Sequence, residues 1–351
     1  MANILYAALH GLLSILIPTT NIVVIVVLSR LLKKSCGKSY VFILNLAAAD
    51  LLVGLMCIVE TVDDVYDEGF DNDLFFCLLR LCLTITPCVG SMLTLLLISL
   101  DRYLAVVLPL YYLKIMSTKS VLLLLVGLWM IAFFVGHVPL IYPSLQQTNY
   151  TAKCGLFYAA KNDYLYILCF SVFLPSLITL ICLHITVGKI AYLHQQRIQK
   201  TWVRNSPMTA YPPNSSQFRA IRTVLIVIVC FTLSWGPYYI AGMVQAACPS
   251  CDLTELLTDL LFLLGETNSL LNPLIYTFYC RDIRSQMSKF ITCKRRKVKP
   301  HGVSDLAIVN FTNIMHPPCL KKHINVTDLS QEPIPFVTPL NVSSDFSEAG
   351  L

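Results

Sequence analysis

Residues 77–104 read CLLRLCLTITPCVGSMLTLLLISLDRYL, with twenty uncharged residues in a row between Arg80 and Asp101. At a helical rise of about 1.5 Å per residue this run measures roughly 30 Å, the thickness of a bilayer's hydrocarbon core. A helix of that length with charge only at its ends is a membrane span.

The same reading extends in both directions. Stretches 4–31, 40–62, 121–143, 164–190, 221–247 and 256–278 are each long and apolar enough to cross, which makes seven spans and an all-α membrane protein. Composition agrees, with 56% hydrophobic and only 13% charged residues, against about 25% charged in ordinary soluble domains. The first stretch has no basic residue before Ile4 and outruns a signal-peptide core, so it reads as a span. Twelve lysines and arginines from Arg30 to Arg222 fall on one side of the spans, with the basic tail, and only Arg80, Lys153 and Lys161 on the other. The positive-inside rule then puts the amino terminus outside the cell and the carboxyl terminus in the cytoplasm of a multi-pass plasma-membrane protein. Basic residues scattered over short loops do not make a nucleic-acid surface, so the net charge of +6 reflects orientation.

Fourteen cysteines are mostly small apolar side chains of the spans. Four lie on the oxidising side. Cys77 opens the third span and Cys154 sits in the second outer loop, where a disulfide between them would pin the loop over the bundle. Cys248 and Cys251 form a second pair that can close a tight turn, zinc being the alternative for such a C-x-x-C. The sequon at Asn149 is the one on the outer side and is expected to be glycosylated. Residues 205–217 read as a mobile inner connector, and 294–351 as a disordered cytoplasmic tail following a seven-span membrane domain of residues 1–293. In 279–292, Ile283, Met287, Phe290 and Ile291 recur at helical spacing among charges, which predicts a short amphipathic eighth helix on the inner leaflet. Cys293, beside Lys294 to Lys297, is a candidate for palmitoylation; an unmodified thiol is the alternative.

Polar groups inside a bilayer are costly and mark function. Their order here is specific: Asn21, then Asn45 and Asp50, Ser91, Trp129, Pro175, Trp235 with Pro237, and Asn268-Ser269 before Asn272-Pro273-Leu274-Ile275-Tyr276. The third span ends in Asp101-Arg102-Tyr103, followed by Pro109-Leu110. Over residues 1 to 293 this set resembles the rhodopsin-like family of G-protein-coupled receptors, with a marker in each span. The resemblance implies that Asp101 holds Arg102 at rest, that Arg102 turns to the G protein on activation, and that Leu110 is an apolar knob docking on it. It implies an allosteric sodium site at Asp50, Ser91, Asn268, Ser269 and Asn272, with a water-filled polar network as the alternative, and no other cofactor. Pro237 and Pro273 should kink their spans. Where many members have a tyrosine eight residues after the span-five proline, this chain has Leu183, so active-state stabilisation falls to Tyr276.

Ligand classes are narrowed by absences. Glu266 stands where retinal pigments need a lysine, Thr84 where monoamine receptors have an aspartate, and Gly242 where adenosine receptors have an asparagine. Residues 112–117, 127–129, 146–150, 244–248 and 268–276 resemble a branch of the family that senses fatty-acid ethanolamides and related lipids, lysophospholipids included, and activates the stimulatory G protein. That branch implies a lipid ligand, cyclic AMP as the output, and Arg80 as a head-group anchor; pairing of Arg80 with Glu60 or Asp64 is the alternative. Phe170, Phe173, Phe231, Trp235, Tyr238, Tyr239 and Phe262 are available to enclose an acyl chain. The chain departs from the branch at Thr258, Asp259, Phe262 and Glu266, and Glu60 with Glu266 near a pocket leaves open a cationic ligand, as it leaves open mainly constitutive signalling. A transporter or channel is the rival class, for which the chain lacks an internal repeat. No H-E-x-x-H, G-x-S-x-G or P-loop points to an enzyme.

Overall fold

The computed structural model describes residues 2–34, 37, 39–66, 72–151, 153–205, 216–248 and 250–291. Most of the 205–217 connector, Cys293 and the 294–351 tail lie outside the described residues, as do the side chains of Phe290 and Ile291.

Among the described residues the elements are helices. They are α1 (Ala2–Lys34), α2 (Ser39–Tyr66), α3 (Leu74–Val107), α4 (Pro109–Ile115), α5 (Thr118–Ile141), α6 (Leu156–Ala159), α7 (Asn162–Ile167), α8 (Leu174–Asn205), α9 (Ser216–Ala247), α10 (Phe262–Tyr279) and α11 (Arg281–Ile291). Six spans are complete by length and composition: those in α1, α2, α3 and α5, the run from α7 into α8, and α9. The seventh is split into a π-helical turn, Leu256–Leu261, and α10, joined without a break because Leu261 keeps helical dihedrals (φ −77°, ψ −30°).

The ring closes in the order α1, α2, α3, α8, α9, α10 and back to α1, with α5 lying outside against α3. In their most apolar stretches 67% of the α3 residues are buried but only 28% of those of α5. That contrast makes α3 the axis and α5 a lipid-facing helix, where exposed Leu122 and Leu123 are at home. Asn45 joins the three helices at one point, accepting from Trp129 Nε1 (2.9 Å) and donating to Thr94 Oγ1 (2.8 Å).

Span five contains a second π-helical turn, Leu168–Phe173, immediately before Pro175. A proline clashes with the carbonyl four residues back and offers it no N–H, and a widened turn just upstream relieves both problems. At the inner surface, Asp101 and Arg102 lie on the last turns of α3, and Pro109 opens α4 from its first position, where a missing N–H costs nothing. The sequence reading left this loop without a helix. The amphipathic helix after span seven is α11: Cys280, extended at φ −88°, ψ 110°, ends α10 and turns the chain. Ile283 is then fully buried where α11 meets α1, and Met287 receives the Thr277 hydroxyl at 3.4 Å.

Candidate functional site

Three sites are stacked along the bundle. The outermost is a cavity of about 170 Å³ whose walls include Tyr6, Glu60, Arg80, Met92, Phe231, Trp235, Tyr238, Tyr239, Thr258 and Phe262, with Cys154, Gly155 and Leu156 of the loop above. The loop is held there by the Cys77–Cys154 disulfide (Cα–Cα 5.5 Å) and by a narrow antiparallel bridge between Gln146 and Ala160. Cys248 and Cys251 are also joined, Cα–Cα 5.3 Å, so the C-x-x-C is a disulfide turn and the zinc alternative is set aside. Asn149 is exposed on a bend of the second outer loop, on the same end as Cys154.

The floor of the cavity is aromatic. Trp235 meets Tyr238 and Phe262 edge-on at 6.0 and 6.1 Å, and Tyr239 stacks on Phe173 at 4.1 Å. Phe173 therefore backs the wall from a second layer. Phe170 corrects the sequence reading: it is 56% exposed, stacks on Tyr166 and does not line the cavity. Both residues lie in the π-helical turn, and there Phe173 faces the bundle while Phe170 faces outward. Gly265 lets Trp235 lie against the seventh span: a Cβ there would stand 2.6 Å from the indole. Gly265→Ala should therefore overpack this contact by about 1–3 kcal/mol, which a lowered melting temperature of the purified protein would report.

Acids and bases surround the rim. Arg80 pairs with Asp63 at 2.5 Å, a partner the sequence reading did not name when it offered Glu60 or Asp64. Glu60 instead accepts from Thr84 at 3.1 Å and faces His10 at 3.5 Å. Thr84 and Glu266 are buried and do not line the cavity, Glu266 lying 3.8 Å from His10. His10 was absent from the sequence-derived set, although an imidazole in a membrane span is itself a signal.

The middle site is the Asp50 cluster. Its carboxylate is fully buried and accepts from Ser91 (2.8 Å) and Ser269 (2.9 Å) through one oxygen and from Asn272 (2.9 Å) through the other. Asn21 ties the cluster to α1 by donating to the Ser269 carbonyl at 3.0 Å. Asn268 and Asn272 each keep a buried amide oxygen without a hydrogen-bond partner, as Tyr276 does its hydroxyl. Such oxygens and two serine hydroxyls around one carboxylate make a hard, all-oxygen donor set.

At the inner end Arg102 is held by Asp101 at 2.6 Å and reaches Ser39. Asp101 is saturated: Ser39 Oγ donates to it at 2.8 Å and Tyr112 Oη at 2.6 Å. Burial, then the hydrogen bond to Asp101, pushes the Tyr112 phenol up to about 12, so this donor keeps its proton at any physiological pH. Tyr103 is half-buried beside this pair, and Leu110 on α4 is 91% exposed. Tyr112→Phe removes one of the two neutral donors holding Asp101 and should raise basal signalling, measured without ligand at matched surface expression.

Residues 20–276 match the 7 transmembrane receptor (rhodopsin family). The chain is 36% identical to the glucose-dependent insulinotropic receptor of Homo sapiens over 284 residues, 80% of this chain and 85% of that one. It is 35% identical to the receptor of the same name from Rattus norvegicus, with 80% and 61% covered, and 26% identical to adenosine receptor A2a of Canis lupus familiaris, with 76% and 68% covered. With the helical bundle, the Asp50 cluster and the Asp101–Arg102 pair in their places, the chain belongs to the rhodopsin family of seven-transmembrane receptors.

Proposed function

We propose that this receptor senses endogenous lipid amides or lysophospholipids at the plasma membrane, its amino terminus outside, and activates the stimulatory heterotrimeric G protein to raise cyclic AMP. The observation that carries the ligand class is the cavity of aromatic and aliphatic side chains under the pinned loop, with the Arg80–Asp63 ion pair at its rim. Apolar walls take up an acyl chain through burial, while the guanidinium holds a polar head group. The stretches shared with the lipid-sensing branch, and the likeness to the insulinotropic receptors, support the coupling.

At about 170 Å³ the cavity is smaller than the roughly 300–1,000 Å³ of pockets that hold drug-sized ligands. A lipid therefore has to displace the plug of Tyr238, Tyr239 and Phe262. Those rings bear on Trp235, one turn above the wall of α9 that Pro237 deprives of a backbone donor, so displacement passes to the hinge of the sixth span. Cyclic AMP in cells expressing wild-type receptor or Arg80→Ala, with and without oleoylethanolamide or lysophosphatidylcholine, tests both halves. A rise that Arg80→Ala shifts to at least about tenfold higher lipid is expected; an equal rise in both proteins removes Arg80 as anchor. A high lipid-independent signal replaces the ligand-gated reading with a constitutive one.

The Asp50 cluster is suited to the sodium ion that the family resemblance implies, since carboxylate, hydroxyl and amide oxygens converge there. Asp50, Ser91, Asn268, Ser269 and Asn272 would hold it, and the ion would favour the resting arrangement. Agonist potency should fall as sodium replaces a larger monovalent cation, and Asp50→Asn should lose that dependence. A dependence that survives Asp50→Asn makes the cluster a hydrated network only.

A further inference from the structure

Beside the cavity, and separate from the Asp50 cluster, three helices bring four metal-ligating side chains to one point. His10 comes from α1, Cys57 and Glu60 from successive turns of α2, and Glu266 from α10. Positions 57 and 60 are three apart and share a helix face. The ligand atoms of His10, Cys57 and Glu266 all lie within 4.8 Å of one another, and all three residues are buried. Glu60 is the fourth, its carboxylate 3.5 Å from His10 Nε2, with Glu266 3.8 Å from the same nitrogen.

We propose that His10, Cys57, Glu266 and Glu60 form a binding site for a zinc ion inside the outer half of the bundle. Imidazole nitrogen, thiolate and carboxylate oxygen are the donor types zinc selects, at bond lengths of about 2.0–2.3 Å. A tetrahedron with such bonds has edges of roughly 3.3–3.8 Å, and the two separations from His10 Nε2, 3.5 and 3.8 Å, already fall in that range. Among His10, Cys57 and Glu266 the widest pair needs to close by no more than about an ångström, within reach of side-chain torsions, and Glu60, outside that group, swings in from the cavity side.

Charge favours the same occupant. Carboxylates in a bilayer are expensive, and two approach one imidazole here. On binding, zinc displaces the Cys57 thiol proton to solvent; the thiolate and the Glu266 carboxylate balance the divalent ion, neutral His10 adds no charge, and the Glu60 carboxylate leaves the four-ligand site with one net negative charge. Glu60 is the ligand on the open side: its side chain is 14% exposed and lines the cavity, which supplies the entry path. The occupied site would lock α1 to α2 and α10 and fix Glu60 in the cavity wall.

Full-length receptor, purified without a histidine tag and stripped with chelator, is the material for the test. Zinc should bind at about one ion per chain and raise the melting temperature. Cys57→Ser and Glu266→Gln, each checked for surface delivery, should weaken that binding at least about tenfold. Cobalt added to the wild-type protein gives a readout that needs no variant: tetrahedral d–d bands in the visible with a sulfur-to-cobalt charge-transfer band in the near ultraviolet are expected. Absence of the charge-transfer band, or zinc uptake unchanged in both variants, overturns the site and leaves His10 paired with the glutamates as an ion pair only.

Discussion

Receptor carrying Arg102→Ala should reach the cell surface in wild-type amounts and yet drive no detectable nucleotide exchange on its G protein. The side chain is 31% exposed near the Val107 end of α3 and its contacts are to Asp101 and Ser39, so trimming it removes no core packing. Asp101 stays satisfied by Ser39 and Tyr112, which spares the variant a buried unpaired carboxylate. Folding should therefore survive while the group that reaches the partner is gone. Surface-labelled receptor counted beside exchange on purified G protein separates the two, and normal exchange by Arg102→Ala would sink the activation mechanism argued here. Asp101→Asn is the informative companion: it frees Arg102 without removing it and should raise exchange in the absence of ligand.

The second large effect is expected from Cys77→Ala. The disulfide closes a loop of 77 residues, worth up to about 4.5 kcal/mol by the chain-entropy relation. Inserted spans already restrict the denatured chain, so the realised figure sits nearer the usual 2–4 kcal/mol. Geometry adds to entropy, because the loop contributes Gly155 and Leu156 to the cavity wall and releasing it opens the roof. Surface delivery should fall several-fold, and whatever receptor arrives should respond to lipid only weakly. Cys248→Ala, which opens a turn separated by three residues, should be mild by comparison; equal losses in the two variants would show that loop closure is not the cause.

How much was readable in the sequence depended on whether a feature was set by composition or by register. The spans were legible because twenty apolar residues have one stable solution in lipid. The Asp50 cluster was legible because polar residues in a bilayer seek one another, and Ser91, Ser269 and Asn272 do meet Asp50. Phe170 was misplaced because its aromatic character in span five does not tell which way the π-helical turn points it. Arg80 found Asp63, one residue from the Asp64 that was named, because helix rotation decides which of two adjacent acids faces a neighbour. The convergence of His10, Cys57, Glu60 and Glu266 rests on contacts of α1 and α2 with one another and with α10 some two hundred residues on, and no local pattern announces it.

The π-helical turn at Leu256–Leu261 bears on how such a receptor diversifies. A turn that accommodates one residue more than its neighbours works like a slip coupling on a shaft. Within it, the chain presents Thr258 to the cavity; inward, Ser269 and Asn272 keep their bonds to Asp50. Rotation or a one-residue deletion on the outer side can be absorbed in the coupling before it reaches α10. Lineages can then remake the face that chooses a ligand while the gears that turn the response stay meshed.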